Sequence, residues 1–139
     1  REEDLRTIMD QRDNVFYLGS RPYERLGAYI AAMDVCMVPL KMNRLMRMAD
    51  PNKLYEYAAT GNPIVTYMHA PEMEELGDMI YLARSREEFV EKVRAALAEG
   101  ADRQRLVEYA RRCSWDERAA AMTRLIERHV RRRDEEGPV

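Results

Sequence analysis

"DPNKLYEYAATGNPIV", residues 50–65, decides how this chain is read. Asp50 suits a helix N-cap, and Pro51 suits the first helical position, where a missing N–H leaves nothing unsatisfied. Gly61 suits the helix stop, and Pro63 leads into "PIVTYM", a β-branched run expected as a strand. The segment thus predicts a helix that begins at a loop and returns directly into a sheet. Lys53 and Glu56 stand three residues apart and so share one face of that helix, while Leu54, Tyr57, Ala58 and Gly61 serve its packing faces.

Strand and helix patterns alternate on both sides of this segment. Upstream, "NVFYLGS" predicts a strand closed by Gly19, and "PYERLGAYIAAM" carries Leu26, Tyr29, Ile30 and Met33 at helical spacing. "DVCMVPL" is continuously apolar, as expected of a strand covered on both faces. "REEDLRTIMDQR", at the start, reads as the end of a helix. Downstream, "MIYLARS" is a fourth strand. Ser85 with Glu88 and Ser114 with Glu117 form capping boxes for two helices, and another helix begins near Asp102. Trp115 is expected to pack the long terminal helix onto the body. Repeated units of this kind predict an α/β, Rossmann-like parallel sheet flanked by helices, with long C-terminal helices. Such sheets bind ligands at the carboxyl ends of their strands, so the loops after Gly19, Leu40 and Met68 are expected to share one edge.

Bulk composition narrows the function classes. The 139 residues fit one domain, 1–139, and 46% hydrophobic with 35% charged residues suits a globular protein. A formal net charge of −2 gives no global attraction to nucleic acid. No apolar run approaches the roughly 20 residues that span a bilayer, and no signal-type pattern opens the chain, so a cytoplasmic address is expected. Cys36 and Cys113 lack metal-ligand or redox spacing, and no metal site is expected. The chain opens on Arg1 inside a charged helical pattern, which suggests a piece of a longer protein.

Against the acidic background, residues 41–49, "KMNRLMRMA", carry Lys41, Arg44 and Arg47 with no acidic residue. Just beyond, the backbone N–H groups of Asn52 and Lys53 sit at the positive end of a helix dipole, a place suited to phosphate. Taken alone, Lys53 and Glu56 equally describe a surface ion pair, and the three cations a solvated loop.

The Pro51, Lys53, Glu56-Tyr57, Gly61, Pro63 series, with "NVFYLGSRPYERLGAYIAAMDVCMVPL" before it and "SWDERA" after, resembles the carboxyl-terminal, donor-binding half of a GT-B glycosyltransferase of the group 1 family. The resemblance covers roughly residues 14–130. It implies a nucleotide-diphosphate sugar as donor substrate, no cofactor, and metal-independent transfer with retention of anomeric configuration. It also implies that Glu56 binds the ribose, that Asn52, Lys53 and Leu54 lie at the diphosphate, and that Gly19, Ser20 and Arg21 lie near the base, UDP or GDP. Lys41, Arg44 and Arg47 are counted with the same donor contacts. No catalytic residue is assigned, because the family's usual base belongs to an upstream half that would hold an acceptor glycan, lipid or small molecule. Peripheral membrane association of the intact enzyme is compatible with that acceptor class. Many relatives carry a second carboxylate eight residues before the ribose glutamate; here that position is Met48. The rival expectation is a non-catalytic Rossmann-like interaction module that uses its arginine-rich terminal helices to bind a partner.

Overall fold

The structure, a computed structural model, describes residues 7, 9, 11–40, 43, 51–68 and 71–136. Helix α1 (Tyr23–Ala31) leads to strand β1 (Cys36–Val38), α2 (Asn52–Thr60) to β2 (Ile64–Tyr67), and a 3-10 segment (Pro71–Leu76) to β3 (Tyr81–Ala83). Helices α3 (Arg86–Glu99), α4 (Arg103–Arg112) and α5 (Trp115–Glu136) complete the order. The strands are parallel in the order β1-β2-β3, with Cys36 opposite Ile64 and Val65 opposite Tyr81. This is a Rossmann-like α/β fold.

Alternation along β2 divides the core between two faces. Ile64 joins Ile30, Cys36, Val38, Leu54, Ala58 and Leu106, contributed by α1, α2, α4 and β1. Val65 joins Ala83, Phe89 and Ala96 beneath α3, where the Tyr67 and Phe89 rings lie 4.8 Å apart. Thr66 is fully buried, and its hydroxyl donates to the Val38 carbonyl at 3.2 Å, so the polar atom is satisfied.

Two residues after α2 fix its relation to α1. Gly61 closes α2 in the left-handed region, φ 74°, its N–H donating to the Ala58 carbonyl at 3.0 Å. A Cβ there would be strained and would collide with the Arg103 side chain. Asn62 then donates from Nδ2 to the Ile30 and Met33 carbonyls, both at 2.8 Å, satisfying acceptors at the carboxyl end of α1. The carboxyl ends of α1 and α2 therefore meet at one point. Both helices run back toward the carboxyl edge of the sheet.

The capping residues act as expected. Ser85 Oγ accepts from the Glu88 N–H at 3.1 Å, Asp102 from Arg105 N–H at 3.0 Å, and Ser114 Oγ from Glu117 N–H at 3.3 Å. Glu88 reaches back to the N–H of Arg84 at 2.7 Å, one residue before the cap itself.

Three expectations need correction. Among the described residues the sheet has three strands, because residues 15–18 form none: Phe16 is 78% and Tyr17 74% exposed, with Val15 and Leu18 exposed as well. Their apolar pattern suits a strand, yet among the described residues no strand lies beside them to accept the pairing. Helix α2 starts at Asn52, one residue later than expected, with Pro51 at the N-cap; its ψ of 120° is extended although its φ of −73° suits a helix. Trp115 is 78% exposed and does not anchor α5 in the core. The root of α5 is instead held by Arg118, whose guanidinium lies 5.0 Å from the Tyr55 ring centre and 5.8 Å from that of Trp115. The expected helix at residues 1–12 lies mostly outside the described residues, with Thr7 and Met9 helical. Among the described residues no helix is long and apolar enough to cross a membrane.

Replacing Asn62 with Ala removes both donors to the end of α1 and should lower stability by about 1–3 kcal/mol, the net contribution of two hydrogen bonds. Urea unfolding of both proteins checks this, and an unchanged midpoint contradicts the clamp.

Candidate functional site

Parallel packing of α1 and α2 brings their amino ends together at the carboxyl edge of the sheet. Contact between them is direct: the Tyr23 hydroxyl, on the first residue of α1, lies 3.5 Å from Glu56 Oε1 in the second turn of α2 and donates to it. Glu56 is half-buried at this joint.

Both helix starts are open in the same sense. α1 has Pro22 and α2 has Pro51 at the N-cap, and neither receives a side-chain cap. Pro51 does accept the Leu54 N–H at 3.0 Å, and Pro22 the Arg25 N–H at 3.0 Å. α3 also starts at this edge, after β3, but Ser85 closes it. The two uncapped helix starts therefore point their partial positive charges at one place. An anion with a nearby hydroxyl-bearing group is the chemistry that such a place can accept.

The expected residues fall as follows. Asn52 and Lys53 are exposed at the start of α2, and Lys53 does not pair with Glu56 among the described residues. Leu54 faces the core, where it is nearly inaccessible, and its N–H is already used by Pro51; its side chain therefore shapes the helix start from behind. Gly19, Ser20 and Arg21 are exposed just ahead of α1, with Gly19 in the left-handed region at φ 70°. Arg21 lies over the Tyr29 ring at 5.9 Å, which ties this loop to α1. Lys41, Arg44 and Arg47, together with Met48 and the expected cap Asp50, lie outside the described residues. Tyr23 was not among the expected residues: an aromatic residue after a proline carries no local sign of a contact 33 positions away.

The neighbouring tyrosine is neutral. Burial, reinforced by Cys36 and Glu56, pushes the Tyr57 phenol above its ordinary range. Among the described residues no group of His, Cys, Asp or Glu side chains could hold a metal ion.

A concavity of about 620 Å³ runs along β3 and is lined by Asp78, Tyr81, Glu99 and Asp102 among others. It contains none of the expected residues, and several of its polar groups are engaged locally. Tyr81 donates to the Gly100 carbonyl at 2.7 Å, and Arg105 bonds to Asp78 at 2.6 Å.

The family model described as "Glycosyl transferases group 1" matches residues 1–99. This chain belongs to the group 1 glycosyltransferases, with a sheet and helix arrangement of the GT-B carboxyl-terminal type. The matched range contains every expected site residue, from Gly19 to Glu56, whereas α4 and α5 lie beyond it. No curated protein and no solved structure matches the chain.

The Arg105 guanidinium holds the Asp78 carboxyl below its ordinary value. A carboxyl depressed in the folded state adds stability above its unfolded value, about pH 4, and that contribution disappears as pH falls through the native value. Asp78→Asn should therefore lower the melting temperature slightly at pH 7 and match the unmutated chain in acid. Melting curves from pH 7 to pH 2.5 check the sign, and a gap that widens in acid contradicts it.

Proposed function

We propose that this chain binds the nucleotide diphosphate of a nucleotide-sugar donor at the joined amino ends of α1 and α2, as the donor half of a retaining, metal-independent glycosyltransferase. The observation that carries this reading is the pairing of two uncapped helix starts with Glu56 at their joint, inside the range matched by the family. Asn52 and Lys53 backbone N–H groups and the Lys53 ammonium hold the diphosphate, and Glu56 accepts a hydrogen bond from a ribose hydroxyl. The Gly19–Arg21 loop meets the base, and Lys41, Arg44 and Arg47, just upstream in sequence, add positive charge. Fixed donors and cations at this point stabilise the negative charge that develops on the departing nucleotide as the sugar moves to its acceptor. The acceptor, a glycan, lipid or small molecule, is held by another domain, so the 139-residue unit binds weakly and transfers nothing alone.

Calorimetric titration with UDP- and GDP-sugars tests this reading. A charge-assisted hydrogen bond contributes about 1.5–3 kcal/mol, so Glu56→Gln and Lys53→Ala should each weaken binding by roughly 10- to 100-fold. Adding EDTA should leave the affinity unchanged. A flat titration of the folded protein with every nucleotide contradicts the reading.

One observation favours the rival interaction module. Trp115, Met122, Leu125, Ile126 and Val130 are all exposed on α5, which also carries Arg118, Arg124, Arg128 and Arg131. That reading requires partner binding that survives Glu56→Gln and is lost on charge reversal of the α5 arginines.

A further inference from the structure

We propose that Tyr23 is the positioning residue of this site: its hydroxyl occupies Oε1 of Glu56, so that the carboxylate presents Oε2 to a ribose hydroxyl. The inference rests on the assignment of Glu56 to the ribose and adds the residue that orients it.

The geometry supplies the argument. Tyr23 and Glu56 are 33 residues apart in sequence, and their side chains meet across two helices that share one core and are also bridged at their other ends by Asn62. Tyr23 is 73% exposed while Glu56 is half-buried, so the phenol reaches inward from the rim of the site to a carboxylate seated deeper. An ionised carboxylate accepts up to about four hydrogen bonds, so one donor on Oε1 fixes the orientation without consuming Oε2. The 3.5 Å separation is long for an O–H donor to oxygen. Hydrogen bonds at binding sites commonly shorten when a ligand engages the acceptor. A hydroxyl arriving at Oε2 would draw the carboxylate into register with the phenol.

Tyr23 also stands two residues beyond Arg21, whose loop is tied to the same helix through the Tyr29 ring. Helix α1 thus carries both the loop assigned to the base and the group that aims the carboxylate assigned to the ribose. Removing the hydroxyl should leave diphosphate contacts intact and blur only the reading of the sugar.

The test is calorimetric titration of UDP, GDP and their 2′,3′-dideoxy counterparts into the 139-residue chain and into Tyr23→Phe, Glu56→Gln and the double variant. For the better-bound base, the unmutated chain should prefer the ribonucleotide by about 10-fold or more, a difference of one strong hydrogen bond. Tyr23→Phe should hold the dideoxy affinity within about 2-fold while cutting that preference to about 3-fold, and should add nothing once Glu56→Gln is present. If Tyr23→Phe keeps the full preference, or weakens both nucleotides equally, the positioning role is overturned while the Glu56 assignment stands. If the unmutated chain shows no ribose preference, or Glu56→Gln retains it, the Glu56 assignment fails and takes the positioning role with it.

Discussion

The side-chain amide of Asn62 is the constraint on which the site depends. By bonding two carbonyls at the end of α1 from a position just past the end of α2, it brings both helix termini to one point beneath the sheet. Both helices also pack their apolar faces into one core, and at their other ends Tyr23 comes within reach of Glu56. That other end is the carboxyl edge of the strands, where open parallel sheets leave room for a ligand. Tyr23 and Glu56 meet there, at the opposite end of the helix pair from the Asn62 contacts.

Leaving those two helix starts without side-chain caps carries a cost in stability, since caps of the Ser85 type contribute about 1 kcal/mol each. The chain uses caps at α3, α4 and α5 and omits them at α1 and α2. A side chain seated on either start would occupy donors that an anion could otherwise use. Pro22 and Pro51 instead fix φ at the residue that enters each helix and carry no side-chain acceptor. Stability is drawn from below, where Leu54, Ala58, Ile30 and Leu106 pack against β1 and β2.

Much of this was legible in the residues. The continuous apolar run at 35–40, the β-branched run at 64–67 and the Ser-x-x-Glu pairs are local patterns with local causes, and the elements form where those patterns lie. Gly61 was readable as a stop because glycine is the usual residue at a left-handed helix end, whereas its close approach to Arg103 is tertiary and was not. The pattern at residues 15–18 records a preference for burial and pairing, but pairing needs a neighbouring strand, which the sheet order among the described residues does not supply. Pro51 has a φ that fits both the N-cap and the first helical turn, so only its ψ distinguishes them. The Tyr23 to Glu56 contact is tertiary and leaves no spacing to detect. Of the candidate site, the α2 residues and the loop before α1 could be named from sequence, but the way they are joined could not.

Intermolecular nuclear Overhauser effects between a bound nucleoside diphosphate and the protein test the central claim most directly. The account predicts contacts from the ribose protons to the Glu56 side chain and the Tyr23 ring, with the amides of Asn52 and Lys53 shifted by the diphosphate. Ribose contacts to Tyr81 and Leu82 in the concavity along β3, with α1 and α2 unaffected, would contradict it.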